Sequence, residues 1–92
     1  MLMLGDLLAS LSDETTALET ILSAGDLKLL AEAQELAAAD GLDLAAYVTQ
    51  TVQRYASEAS DEEGVTLMGL LNRSQDPGTT CLKRVLDHAL RE

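Results

Sequence analysis

Three short stretches, "SAGDLK", "ADGLDLAAY" and "ASDEEG", divide this chain into pieces of helical length. The first two join a stop to a start. Gly25 and Gly41 stand where a helix can end at positive φ, which costs little in a residue without a Cβ. Asp26, Asp43 and Ser60 then offer side-chain oxygens to the orphan backbone N–H groups of a following first turn. Ser60 and Glu63 have the spacing of a capping box. Asp76-Pro77 is a further start, because the fixed φ of proline suits the first helical position.

Between these marks the apolar residues recur at helical intervals, and no β-branched alternating run supports a sheet. Over residues 6–24, Leu7, Leu11, Leu18 and Leu22 share one stripe, with Leu8 and Ile21 beside it. "SDE" at Ser12–Glu14 is a second start signal, so this segment is one helix or two. Residues 27–39 place Leu29, Ala33, Leu36 and Ala37 on one face. Residues 44–58 turn Leu44, Val48, Val52 and Tyr55 inward with Tyr47 beside them, and Leu42 and Tyr47 flank the Asp43 cap as a hydrophobic staple. Residues 61–73 carry Leu67, Met68 and Leu71, and the last helix carries Cys81, Leu82, Val85, Leu86, Ala89 and Leu90. The expectation is a single all-α domain over residues 1–92, a compact bundle of four or five short amphipathic helices.

Composition bears on how such a bundle is held. Leu supplies 19 residues and Ala 13, Phe and Trp are absent, and Tyr occurs twice. A core without large aromatics is thin, and a chain of this length buries only roughly 60–65% of its unfolded surface. Pairing with a second copy would add to it, so a homodimer is expected.

The net charge of −10 is uneven: residues 1–43 hold nine acids and one base, residues 44–92 seven acids and five bases. Such a field slows approach to nucleic acid and anionic lipid and favours a basic protein partner. The longest interval that escapes it lies in the middle of the chain. Between Asp43 and Glu58 there is no carboxylate, and the polar positions there include Thr49, Gln50, Gln53 and Arg54. These four are the candidate contact surface.

Reactive chemistry is sparse. Cys81 is the only cysteine, which rules out an internal disulfide and a multi-cysteine metal site. It falls on the apolar side of the last helix and reads as a small buried hydrophobe. His88, the only imidazole, lies on the polar side beside Asp87 and reads as a solvated histidine. "SDEEG" lacks the alternating ligands of a calcium loop. No phosphate loop follows a strand. No catalytic residue, metal site, cofactor or small-molecule substrate is expected. "MLMLGDLL" has no basic n-region and is broken at Gly5 and Asp6, unlike a signal peptide. The longest apolar run, residues 44–48, is far short of the ~20 residues that span a bilayer. A cytoplasmic protein of bacterial type is expected.

Residues 33–58, "AQELAAADGLDLAAYVTQTVQRYASE", resemble the helical hairpin of ribbon-helix-helix repressors of the CopG/Arc type. Ala37, Gly41, Asp43, Tyr47, Val48, Val52 and Tyr55 fall in that family's order of small residue, turn glycine, cap and apolar positions. The resemblance covers about a quarter of the chain and implies an intertwined helical dimer. The family's DNA-reading strand has no counterpart, because residues 24–33 have helical spacing and one base, Lys28. A helix-turn-helix is the other resemblance, with Thr49, Gln50, Gln53 and Arg54 facing base edges. The expected function is therefore that of a non-catalytic interaction or regulatory module that pairs with itself and with a basic protein. The alternative is a DNA-binding regulator that uses helix 44–58.

Overall fold

Asp13 determines how the N-terminal segment divides. Its carboxylate accepts the Thr16 N–H and the Thr16 hydroxyl, both at 3.0 Å, and its own backbone is extended at φ −84° and ψ 127°. A helix cannot continue through that conformation. The computed structural model, which describes residues 4–90, accordingly has six helices: α1 (Leu4–Leu11), α2 (Glu14–Ser23), α3 (Leu27–Ala39), α4 (Leu44–Glu58), α5 (Asp61–Asn72) and α6 (Pro77–Leu90). Six replaces the expected four or five because the first segment is two helices. Met1–Met3, the start of "MLMLGDLL", and Arg91 and Glu92 lie outside the described residues.

The remaining punctuation acts locally. Asp26 accepts the Leu29 N–H at 3.0 Å, and Asp43 the Ala46 N–H at 2.8 Å. Gly41 sits at φ +71°. Its N–H reaches the Ala38 carbonyl at 3.1 Å, while the Leu42 N–H reaches that of Ala37 at 2.9 Å. These paired bonds are a Schellman stop. Ser60 accepts the Glu63 N–H at 3.1 Å, which is half of a capping box; the Glu63 side chain goes elsewhere. Asp76 accepts the Thr79 N–H at 3.3 Å and its hydroxyl at 2.9 Å, in front of Pro77.

The acid-free stretch is the hub. α4 packs against α1, α2, α3 and α6, whereas α3 is held chiefly by α4 and α5 chiefly by α6. Tyr47, Val48, Val52 and Tyr55 are buried on α4 among Leu11, Ala17, Ile21, Ala33, Ala37, Leu67, Leu71, Cys81, Leu82, Val85 and Leu86. Alanines 17, 33 and 37 let α2 and α3 lie close to this hub. The Cα radius of gyration of 12.2 Å equals the ~12 Å of a compact chain of this length.

Three leucines depart from the expected stripes. Leu22 is 57% exposed, and Leu36 and Leu90 also lie at the surface, while Ala17 and Ile21 take the inner positions of α2. The break at Asp13 resets the helical phase, and of the stripe through residues 7, 11, 18 and 22 only Leu22 leaves the core, with Leu11 buried and Leu7 and Leu18 packed against it. Among the described residues no helix is long and apolar enough to cross a membrane.

Candidate functional site

α4 presents its polar residues unequally. Gln50, Gln53 and Arg54 are exposed, and with the exposed Ser57 they form an i, i+3, i+4, i+7 strip along the helix. Thr49 is not part of it. It is 6% exposed, and its hydroxyl donates to the Ala46 carbonyl at 3.0 Å. Thr51 is buried in the same manner, donating to the Tyr47 carbonyl at 2.8 Å. Threonine can enter a helical interface because its own helix accepts its proton.

The inner side of α4 carries a polar cluster. Tyr55 Oη donates to Glu63 Oε2 at 2.5 Å. Arg84 Nε donates to the same oxygen at 2.8 Å, and Arg84 Nη2 to Glu63 Oε1 at 2.6 Å. α4, α5 and α6 are thereby joined through one carboxylate. The Arg84 hydrogen bonds, helped by that from Tyr55, hold the Glu63 carboxyl down at about 2 although burial opposes them. Burial first, and then the hydrogen bond to Glu63, push the Tyr55 phenol above its usual range. The hydrogen bond to Glu63 raises the Arg84 guanidinium. All three are fixed in one protonation state near neutrality, whereas a general acid or base works best with a pKa close to the operating pH.

The two residues with conventional reactive groups flank this cluster. Cys81 is fully buried, and burial pushes its thiol up to about 11, the opposite of an activated thiolate. His88 is half-buried rather than solvated. Its ring stands perpendicular to that of Tyr55 with centroids 5.3 Å apart, the edge-to-face arrangement favoured by aromatic quadrupoles. The hollow between His88, Tyr55 and Thr51 holds about 10 Å³, room for about one water and no substrate. Among the described residues no group of three or more His, Cys, Asp or Glu is placed to hold a metal ion.

The chain matches no family model, no curated protein and no solved structure.

The wider openings lie elsewhere. One of about 490 Å³ separates α5 from α1 and the end of α4, with Leu8, Ala59, Val65 and Met68 among its apolar lining and Tyr55, Ser60 and Asp61 as its polar lining. Another, of about 360 Å³, lies between Leu29 of α3, Leu70 of α5 and Lys83 of α6, with Asp26 and Asp87 at its sides. Sequence reasoning missed the first of these. The available signal was Val65, an apolar residue placed off the Leu67–Leu71 stripe of α5. It also missed the Glu63–Arg84 pair, because the capping-box spacing supplied a local reason for Glu63.

Proposed function

We propose that this chain is a non-catalytic protein-interaction module of the cytoplasm that associates with a second copy of itself through the outer strip of α4. The observation that carries the reading is the neutrality of that strip. Gln50, Gln53 and Ser57 carry no charge and Arg54 is a base, on a chain whose net charge is −10. Two such chains repel each other over most of their surfaces, and strip to strip is an approach that avoids facing carboxylates. The inward-facing chemistry supports the same reading. Glu63, Tyr55, Arg84 and Cys81 each serve packing in a protonation state that does not change near neutrality.

Light scattering of the full chain at micromolar concentration tests this. Twice the mass of the chain is expected, and a monomer removes the self-association. The DNA-binding alternative is favoured by one feature, the exposure of Gln50, Gln53 and Arg54 together on one helix. It predicts a duplex gel shift at low salt that is lost in Arg54→Ala. We favour protein contact because phosphate contacts supply most of the affinity in DNA-binding modules, and this chain has six bases against sixteen acids.

A further inference from the structure

Val65 is 73% exposed on the edge of the trough between α1, α4 and α5. Leu8 and Met68 lie half-buried against the core beneath it, and Ala56, Ala59 and Gly64 line its remaining wall. Gly64 leaves open space, since a Cβ there would meet nothing within 4 Å. The trough is thus mainly apolar, with Tyr55, Ser60 and Asp61 as its polar lining, and is walled partly by residues with little or no side chain.

Its charge is one-sided. Asp61 lines the trough, and a neighbouring hollow on the outer side of α5 shares Asp61 and Val65 and adds Glu62. Among the described residues no lysine or arginine lines either opening. Three acids occupy the first turn of α5. Arg84 neutralises Glu63, whereas Asp61 and Glu62 form no ion pair among the described residues. We propose that this trough binds an amphipathic basic helix of a partner protein, its apolar side chains on Leu8, Val65 and Met68 and its lysines or arginines against Asp61 and Glu62.

The occupant follows from complementarity. Apolar anchors at i, i+3, i+4 and i+7 are how a helix fills such a groove, and a positive polar face meets the carboxylate rim with favourable steering. A second copy of this chain would bring its own negative charge to the same rim, and an anionic lipid surface would be repelled. The proposal rests on the protein-interaction reading but uses a different face from the α4 strip.

The test is a titration of the isotope-labelled full chain with a synthetic peptide that has leucines at i, i+3, i+4 and i+7 and lysines elsewhere. Amide shifts should concentrate at Ala56, Ala59, Gly64, Val65 and Met68. Val65→Lys adds like charge at an exposed site, and Gly64→Phe fills the trough; each should weaken binding about tenfold or more. A peptide with glutamates for lysines, or with serines for leucines, should bind at least that much more weakly. Absence of binding, equal binding of the glutamate peptide, or affinity unchanged in both variants overturns the proposal. Shifts at Gln50, Gln53 and Arg54 instead overturn the trough while leaving the interaction reading intact. That reading fails separately, by its own light-scattering test.

Discussion

Glu63 takes both arms of the Arg84 guanidinium, at 2.6 and 2.8 Å, across 21 residues of chain. The planar fork of arginine matches a carboxylate in this geometry, which fixes direction as well as distance. Because α5 is held chiefly by α6, the pair sets where α5 lies.

Removing either partner strands the other in a largely covered position. Glu63→Gln should lower stability by about 1.5–3 kcal/mol, the range for hydrogen bonds to charged groups. Arg84→Met should be comparable. The double variant should lose clearly less than the two together, since neither charge is then left alone. Urea unfolding of the four proteins measures this, and strict additivity would deny the coupling.

The same pair predicts acid sensitivity. The Glu63 carboxyl falls from 4.5 to about 2 on folding, so the native state favours its ionised form. Its contribution is complete above the unfolded value and is lost as the pH falls from about 4.5 through 2. A shift of that size corresponds to about 3 kcal/mol. The chain holds fifteen other acids, so the informative quantity is the difference between wild type and Glu63→Gln. That difference should shrink steadily between pH 5 and pH 2; a constant gap would contradict it.

What was legible in the sequence was local. Asp26, Asp43 and Ser60 cap the helices they precede, and Gly41 stops α3, because each act involves backbone groups a few residues away. The facing of α4 was also readable, since Val48, Val52 and Tyr55 lie on one stripe. Thr49 was misplaced because its hydroxyl pairs with its own helix, which removes the cost of burial and so the reason to expect exposure. Glu63–Arg84 and the Tyr55–His88 ring contact depend on how α4, α5 and α6 are brought together. No periodicity within one helix encodes that, and the trough was hidden for the same reason.

Two glycine substitutions should have opposite signs. Gly41 is at φ +71° with open space around its missing side chain, so Gly41→Ala acts through the backbone alone. It should cost about 1–2 kcal/mol. Gly69 lies inside α5, also with open space, and Gly69→Ala should stabilise by roughly 0.5–1 kcal/mol. Thermal or urea unfolding reads both, and a shared sign would contradict the assigned conformations.

Cys81 should behave as a core side chain. With the thiol covered and pushed up to about 11, its reaction with an aromatic disulfide reagent at pH 8 should be limited by opening of the fold. In denaturant the reaction should be complete within the mixing time of an ordinary thiol assay. Native and denatured rates that agree would place Cys81 at the surface.

The most direct test of the contact reading is light scattering on wild type and on the Gln50→Glu, Gln53→Glu double variant under identical micromolar conditions. Both positions are exposed, so the fold should hold to within about 0.5 kcal/mol. The account predicts twice the chain mass for wild type and the single-chain mass for the variant, whose strip now carries the charge that keeps copies apart. A monomeric wild type, or a variant that still scatters as a dimer, would contradict it.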